Sequence, residues 1–156
     1  MGSLNYGYAS VGGWRRISPK LYNQIPESDV RKGWFLDDTG VSVNLPAAAQ
    51  AYITKKGAPV YTQVKYGPMN DEWGSNNNAT DVILMRVEEM YLIKAEAQAM
   101  NNDVSGGVNT LNSFVNTYRD PSYKCTATTG EAVQEAVWHQ RRIEFWGCLL
   151  YTSPSP

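Results

Sequence analysis

The sequence predicts a mainly helical protein: an antiparallel helix pair, a further helix, and a loop-rich N-terminal half with short helices and one short β element. Segment 81–100 contains no Gly or Pro and is rich in residues that favour helices. Apolar residues recur at helical spacing in 108–118 and 129–147. Gly and Pro interrupt the first 80 residues at short intervals, which is typical of loops.

The first long helix is predicted over 81–100. Its apolar face is predicted to contain Val87, Met90, Tyr91 and Ala95, which follow one another at spacings of three, one and four residues. Ala95, Ala97 and Ala99 are small, so a second helix can approach closely at this end of the segment.

The second helix is predicted over 108–118, after a connection at Asn101–Asp103 and Gly106–Gly107. Its aligned apolar residues are Val108, Leu111, Val115 and Tyr118. Pro121 ends the pattern. The short connection predicts an antiparallel pair with the first helix.

The third helix is predicted over 129–147, with Thr128 and Glu131 at the spacing of a capping box. One stripe of this helix is predicted to pack on the first two: Val133, Ala136, Val137, Gln140, Ile143 and Glu144. Charged residues of the first helix (Arg86, Glu88, Glu89 and Glu96) are predicted to pair with charged residues of the third (Arg141, Arg142 and Glu144).

The N-terminal half carries weaker signals. Ser18-Pro19 predicts the start of a short helix, and segment 26–32 predicts another helical turn. A short strand is predicted from the alternation of Val60, Thr62, Val64 and Tyr66. Segment 70–80 is polar and predicts a loop around Trp73. The tail 148–156 breaks the pattern abruptly and is interpreted as a non-native sequence.

The net charge, the lengths of the apolar segments and the numbers of Cys and His residues argue against several function classes. A net charge of −1 gives no electrostatic reason to bind nucleic acid, and no segment approaches the length of a membrane helix. The N-terminal residues lack the pattern of a signal peptide. Two cysteines, Cys125 and Cys148, support neither a disulfide framework nor a zinc site. His139 is the single histidine, and we interpret it as a surface or packing residue.

Catalytic chemistry finds little support in the remaining motifs. Adjacent carboxylates occur at Asp37-Asp38, Asp71-Glu72 and Glu88-Glu89, but adjacency in sequence does not show the spatial separation that glycosidases need. Gly106-Gly107 lacks the other glycines and the lysine of a nucleotide-binding loop. We therefore predict no catalytic residues, no metal site and no cofactor.

Four ordered motifs within residues 5–147 support a resemblance. They are Asp29-Val30-Arg31-Lys32, the run from Asp81 to Ala97 that ends in Ala-Glu-Ala, the Leu111-Asn112 helix leading to Tyr118-Arg119, and Gln140-Arg141-Arg142-Ile143-Glu144-Phe145-Trp146-Gly147. In this order and spacing they resemble the SusD/RagB family. After Gly147 the sequence departs from the family's pattern.

The resemblance implies a fold and a function. Family members have tetratricopeptide-like helix pairs and a loop-rich ligand face. They are lipoproteins at the outer membrane of Gram-negative bacteria, they bind glycans or other nutrients above a TonB-dependent transporter, and they are not enzymes. The chain then corresponds to a C-terminal fragment, with a ligand face over 1–80 and a helical scaffold over 81–147. The lipid anchor is expected in the missing N-terminal part.

The function predicted on this basis is non-catalytic glycan binding. The sequence contains five Trp and ten Tyr but three Phe. Trp and Tyr suit a partly solvated surface on which sugar rings stack, although they also suit packing in the interior. The predicted ligand-binding residues are Tyr6, Tyr8, Trp14, Asn70, Asp71 and Trp73. Trp34 fits core and site equally, whereas Trp138 and Trp146 are assigned to the core. The alternatives are a helical-repeat module that binds protein or peptide, and a glycoside hydrolase fragment.

Overall fold

The computed structural model describes residues 14–65 and 85–147. These residues belong to two compact units. The loop-rich unit contains residues 14–25 and 31–65, and the helical unit contains residues 26–30 and 85–147. Five of the six predicted ligand-binding residues lie outside the described residues, as does the tail: Tyr6, Tyr8, Asn70, Asp71, Trp73 and 148–156.

Short helices interrupt the loops of the first half, as predicted. Helix α1 spans Pro19–Tyr22, and the Ser18 hydroxyl caps it by accepting a hydrogen bond from the Leu21 amide at 3.2 Å. A 3-10 helix spans Val30–Trp34 and thus overlaps only the end of the predicted segment. Helix α2, Ala47–Lys55, was not predicted from the sequence. It follows Pro46 and begins with three consecutive alanines, which favour helix formation.

Three extended segments pair antiparallel in the loop-rich unit; we call residues 15–17, 34–36 and 61–64 the three-segment array. Segment 61–64 lies in the middle, bonded on one side through Gln63 N to Arg15 O (2.9 Å) and on the other through Val64 N to Trp34 O (2.7 Å). The described residues show isolated bridges here, not a full strand. The predicted strand is therefore present only as these bridges, and Thr62, Gln63 and Val64 are all buried, so burial does not alternate along the segment.

The helical unit contains the three predicted long helices and confirms the mainly helical fold class. Helix α3 spans Val87–Met100, α4 spans Val104–Tyr118 and α5 spans Gly130–Glu144. Helix α3 packs against both α4 and α5. Their shared core includes Leu92, Ala95, Leu111, Phe114, Val115, Val133 and Val137. None of the helices in the described ranges combines the length and hydropathy that a bilayer crossing requires.

Close packing explains why α4 starts four residues before its predicted position. The Asp103 carboxylate caps the helix by accepting from the Gly106 amide at 2.9 Å, so both glycines are helical and not part of the connection. A Cβ placed on Gly107 would lie 2.7 Å from the carbonyl oxygen of Ala95. Glycine is therefore required where α4 crosses α3.

The ends of α3 and α5 also differ from prediction. Met85 and Arg86 precede the helix, because α3 begins at Val87. Thr129, and not Thr128, caps α5 by accepting from the Ala132 amide at 3.2 Å. Helix α5 ends at Glu144 instead of Gly147. Its predicted stripe is confirmed, since Val133, Val137, Gln140, Ile143 and Glu144 are buried and Ala136 is half-buried.

The predicted apolar face of α3 is confirmed at Ala95 and wrong at Val87, Met90 and Tyr91. Val87 is 67% exposed, Met90 43% and Tyr91 39%, whereas Leu92, Ala95 and Ala99 are buried. Apolar residues occur all around α3, so periodicity cannot select the face that is buried. The small side chains decide the orientation instead, because Ala95 and Ala99 allow the approach of Gly107.

Candidate functional site

Two tryptophans and two basic residues lie, by backbone pairing, at one end of the three-segment array. Segment 61–64 pairs antiparallel with segment 15–17 on one side and with segment 34–36 on the other. This pairing places Arg15 beside Gln63 and Trp34 beside Val64. Trp14 precedes Arg15, and Lys65 follows Val64. We call Trp14, Arg15, Trp34 and Lys65 the aromatic edge.

Both indoles of the aromatic edge are half-buried. Trp14 packs against the buried cluster of Leu36, Ile53 and Val64, which anchors it to the core of the unit. The Lys65 ammonium lies 4.3 Å from the centre of the Trp34 ring, within the range of a cation–π interaction. Lys65 covers one face of the Trp34 ring. The part of each indole that remains in solvent can contact a sugar, and the ammonium can bind sugar oxygen atoms.

The predicted site residues relate to this edge in different ways. Trp14 lies at the edge, and it is the one predicted ligand-binding residue within the described ranges. The two segments that carry the other predicted residues join the described chain at Trp14 and at Lys65. Sequence reasoning left Trp34 undecided and missed Lys65. The signal for Lys65 was its position within the predicted strand, between Val64 and Tyr66.

A second group of rings lies at the opposite end of the array. Tyr22 and Tyr61 are 5.1 Å apart, and the Lys32 ammonium lies 5.1 Å from the Tyr22 ring centre. Tyr61 has a φ of 65°, in the left-handed region that bulky residues rarely adopt. Hydrogen bonds from Tyr61 N to Leu36 O and from Ile17 N to Tyr61 O, each 3.1 Å, hold it there. Tyr22 is buried, so this group packs the interior of the unit.

A shallow pocket of about 150 Å³ opens in the same unit. It is lined by Leu36, Thr39, Gly40, Ile53, Thr54, Ala58 and Val60. Pockets that enclose whole small molecules are commonly about 300–1,000 Å³. This pocket can hold part of a ligand at most.

Asp37 forms a turn beside this pocket. Its Oδ1 accepts hydrogen bonds from Thr39 N (2.8 Å), Thr39 Oγ1 (2.7 Å) and Val41 N (2.9 Å). Burial raises the pKa of the Asp37 carboxyl, but these bonds outweigh burial and lower the pKa below its ordinary value. Asp37 is therefore ionised and committed to the turn, which is unsuitable for a general acid.

An ion-pair network connects the three long helices; we call Arg86, Glu88, Arg119 and Glu144 the arginine–glutamate network. The fully buried Glu144 carboxylate meets Arg119 Nε at 2.7 Å and Arg86 Nη2 at 2.9 Å. Glu88 Oε1 lies 2.8 Å from Nη2 of both arginines. The predicted pairing of Arg86 with Glu144 is confirmed, whereas Arg119 was missed as a participant.

A second ion pair joins α3 to α5. Arg141 pairs with Glu96, as the sequence predicted, and Gln134 donates to the same carboxylate at 3.0 Å. Glu89 and Arg142 do not join either set of pairs within the described part of the chain.

The networks favour the charged forms of Glu88, Glu96 and Arg119. Burial raises the pKa of Glu88 and of Glu96, but hydrogen bonds and the nearby guanidinium groups outweigh it, so both pKa values are lowered. Burial lowers the pKa of Arg119, but its contacts with Glu144 and Glu88 outweigh burial, so the pKa is raised above its ordinary value. These side chains act as fixed charges of the scaffold.

Comparison with known proteins identifies the family. A model of the SusD family matches residues 18–147. The chain belongs to the SusD family. This confirms the resemblance drawn from the motifs.

One solved structure supports the same assignment for this SusD-family chain. It is titled a SusD-like carbohydrate binding protein from Bacteroides vulgatus ATCC 8482, with 27% identity and a TM-score of 0.54. The alignment covers 85% of this chain and 25% of that chain, so the chain spans a quarter of that protein's length. No curated protein matches the sequence.

The motifs that resemble the SusD family converge on the arginine–glutamate network. Arg86 and Glu88 come from the first long helical motif, Arg119 from the second and Glu144 from the third. The recognisable family residues in the described helices therefore hold the scaffold together. The aromatic edge belongs to the loop-rich unit instead and is the candidate functional site among the described residues.

Within the described residues, no group of three or more His, Cys, Asp or Glu side chains is placed to hold a metal ion. His139 is half-buried on α5. Cys125 is buried in the core of the helical unit, and its amide donates to Asn112 Oδ1 at 2.7 Å.

Proposed function

We propose that this SusD-family chain binds glycans without catalysis, as part of a larger protein at the bacterial outer-membrane surface. The observation that carries the proposal is the aromatic edge, where two half-buried indoles lie beside a lysine. The carbohydrate-binding description of the solved relative supports it.

Stacking supplies the binding energy in this proposal. One face of a pyranose ring presents C–H groups, and an indole that covers this face removes apolar surface of both partners from water. Lys65 and Arg15 then donate hydrogen bonds to oxygen atoms at the rim of the sugar. Each contact is weak, so useful affinity needs several contacts along one saccharide chain.

Two of the described carboxylates, Asp37 and Glu88, are engaged in ways that do not suit hydrolysis. Asp37 is engaged in three hydrogen bonds of its own turn, and Glu88 is paired with two arginines. Glycoside hydrolysis requires a pair of carboxyl groups facing one substrate, one of them protonated. The lowered pKa values of Asp37 and Glu88 oppose that role.

Delivery to a transporter completes the proposed role. In this proposal the longer protein carries a lipid anchor, stays at the outer-membrane surface and passes its glycan to a TonB-dependent transporter. The support is membership of the SusD family. Surface labelling of intact cells that express the full gene tests the location. Copurification of a TonB-dependent transporter tests the partnership.

Peptide binding is the second candidate function, favoured by the exposed apolar face of α3. Val87, Met90 and Ile93 are all exposed there. An immobilised peptide library tests this function, with Met90→Glu as the matched variant. Peptide retention that this variant abolishes would favour the second candidate over glycan binding.

Affinity electrophoresis in gels that contain different polysaccharides tests the proposed function. We expect the protein to be retarded in at least one glycan gel. Trp14→Ala and Trp34→Ala should each reduce this retardation, whereas Tyr118→Ala should not, because Tyr118 is an exposed ring of the helical unit. Thermal melts followed by circular dichroism establish that each variant is folded. Unchanged retardation in both folded tryptophan variants would contradict the site.

A further inference from the structure

The shallow pocket of the loop-rich unit has walls that are fixed by hydrogen bonds. The first wall is the turn 37–41, which is closed by bonds from Asp37 N to Val41 O (2.8 Å) and from Val41 N to Asp37 Oδ1 (2.9 Å). The second wall is the end of α2 and the segment after it, where Ala58 N donates to Ile53 O at 3.1 Å. A preformed site of this kind binds a ligand without first ordering its walls, which favours affinity.

The side-chain amide of Gln50 joins the two walls. Its Nε2 donates to Gly40 O at 2.8 Å and to Thr54 Oγ1 at 3.3 Å. A Cβ built on Gly40 would meet none of the described atoms within 4 Å apart from its chain neighbours. The mouth of the pocket is therefore open at Gly40, and the Thr54 hydroxyl is held near the Gly40 carbonyl because both bond to one nitrogen.

The interior of the pocket is apolar. Leu36 and Ile53, each no more than 1% exposed, line it together with the half-buried Ala58 and Val60. A volume of about 150 Å³ matches an apolar cavity that accepts one benzene molecule, so a whole sugar with its hydroxyl groups does not fit. A hydroxyl group placed against these side chains loses its water without a new hydrogen bond, whereas a methyl group gains from the transfer. The interior therefore selects a short substituent that ends in a methyl group.

Two exposed threonine hydroxyls at the rim of the pocket leave different hydrogen-bonding roles open to a ligand. Thr39 Oγ1 donates its hydrogen to Asp37 Oδ1 at 2.7 Å, so towards a ligand it acts as an acceptor. Thr54 Oγ1 accepts from Gln50 Nε2, and its own hydrogen has no acceptor within the described part of the chain. Thr54 is therefore able to donate. The rim offers one acceptor and one donor beside the apolar interior.

We propose that this pocket binds the acetamido group of an N-acetylated sugar. The methyl group enters the apolar interior, the amide N–H donates to Thr39 Oγ1, and the carbonyl oxygen accepts from Thr54 Oγ1. The pocket adjoins the buried cluster that also supports Trp14 of the aromatic edge, since Leu36 and Ile53 belong to both. This inference rests on the proposed function, whose ligand class it narrows to glycans that carry N-acetyl groups.

Other sugar substituents complement the pocket less well. A carboxylate or sulfate at the rim would approach the Asp37 carboxylate, which already holds the Thr39 hydroxyl. The methyl group of a deoxy sugar suits the interior but gives the hydroxyls of Thr39 and Thr54 no ligand partner. An acetamido group combines a methyl group, one donor and one acceptor, and so satisfies the interior and both sides of the rim.

Saturation-transfer difference NMR of the full chain tests this contact with monosaccharides that differ in one group. The ligands are N-acetylglucosamine, N-acetylgalactosamine and N-acetylmannosamine, each compared with its parent hexose, and L-fucose as the deoxy sugar. For at least one N-acetylated sugar, we expect the acetyl methyl protons to receive the strongest saturation. Its Kd should be at least about fivefold lower than that of the parent hexose, because the pocket buries the methyl group and bonds the amide.

Side-chain variants locate the contact. Ala58→Leu fills the interior and should abolish saturation of the acetyl methyl group, whereas Ala48→Leu, at an exposed position of α2, should preserve it. Thr54→Val should weaken binding roughly threefold to tenfold, the range of one hydrogen bond, and Thr54→Ser should retain binding because it keeps the donor. Thr117→Val, at an exposed position of the helical unit, should change the Kd by less than about twofold. Circular dichroism melts establish that each variant is folded.

The outcomes separate this inference from the proposed function. Absence of acetyl saturation in all three N-acetylated sugars, or equal affinity for them and their parent hexoses, would overturn the acetamido pocket. Acetyl saturation that persists in folded Ala58→Leu and Thr54→Val, or stronger methyl saturation in L-fucose, would overturn it as well. In each of these cases, retardation in glycan gels would leave the proposed function standing. If neither the gels nor the NMR experiment detects a glycan, both proposals fail.

Discussion

The two units of this protein use charge in opposite ways. In the helical unit, Arg86 and Arg119 form ion pairs with two carboxylates. One of these carboxylates, that of Glu144, is fully buried. In the loop-rich unit, lysines lie over aromatic rings, as Lys65 does over Trp34 and Lys56 does over Tyr52 at 5.8 Å. Basic side chains therefore fix the scaffold through carboxylates in one unit and pack over aromatic rings in the other.

The units also differ in how they are held together. Helices α3, α4 and α5 meet through small residues, with Gly107 against Ala95 and Gly130 close to the Ala99 carbonyl. The loop-rich unit depends on hydrogen bonds between irregular segments, such as those of Val64 and Gln63 to their neighbours. Its surface loops can therefore vary more easily than the scaffold, which suits a ligand-binding region.

The largest expected effect is in the arginine–glutamate network. Glu144→Ala leaves two partly buried guanidinium groups without their shared carboxylate, and should lower the free energy of unfolding by about 3–5 kcal/mol. Urea unfolding followed by circular dichroism measures it. Glu135→Ala on the exposed side of α5 is the matched control and should have little effect. Equal destabilisation by the two variants would contradict a structural role specific to Glu144.

The contact between α3 and α4 should show the next largest effect. Gly107→Ala forces a methyl group to 2.7 Å from the Ala95 carbonyl oxygen, and overpacking of this kind costs about 1–3 kcal/mol. This loss should exceed the gain from the better helix propensity of alanine. Thermal denaturation compares it with Ser105→Ala, at an exposed position of the same helix. A melting temperature that rises in Gly107→Ala would show that the helices are not in close contact.

Acid should weaken the helical unit. The lowered pKa values of Glu88 and Glu96 mean that the unfolded chain binds protons more readily than the folded chain. Their contribution is present above the ordinary glutamate pKa of 4.5 and is lost as the pH falls below it through the folded-state values.

Unfolding free energies measured between pH 7 and pH 3 test this acid dependence. Glu96→Gln should remove part of it, about 1 kcal/mol at most because the pair is partly solvated. A pH profile identical to that of the unchanged protein would argue against the Arg141–Glu96 pair as a source of stability.

The smallest effect is expected on the exposed face of α3. Met90→Glu places a charge at a side chain that is 43% exposed and should change the unfolding free energy by less than about 0.5 kcal/mol. Chemical denaturation measures the change, with Leu92→Ala as a buried positive control expected to cost about 2–5 kcal/mol. A large destabilisation by Met90→Glu would show that Met90 is buried, as the periodicity of α3 predicted.

The helical scaffold was predictable because its signals are local. The stripe from Val133 to Glu144 follows from helical spacing, and the pairing of Arg86 with Glu144 follows from their opposite charges. The orientation of α3 was not predictable, since apolar residues occur on all its sides and the decisive contact with Gly107 is between helices. The start of α4 was missed because glycines usually signal a break, whereas here they permit close packing.

The candidate site was predictable only in part. Trp14 was selected from its flanking glycines, and the structure places it at the aromatic edge. Trp34 and Lys65 come together through the pairing of 34–36 with 61–64, which are separated by 24 or more residues and carry no sequence signal for each other. Arg119 was likewise missed, because its partners lie on two other helices.

The most direct test of glycan binding at the aromatic edge is a fluorescence titration of the full chain with an oligosaccharide from the polymer that retards it most. We predict a saturable change in tryptophan emission that is reduced in Trp14→Phe and in Trp34→Phe and retained in Trp138→Phe, on helix α5. A response that persists in both edge variants and disappears in Trp138→Phe would place the ligand on the helical unit and contradict the account.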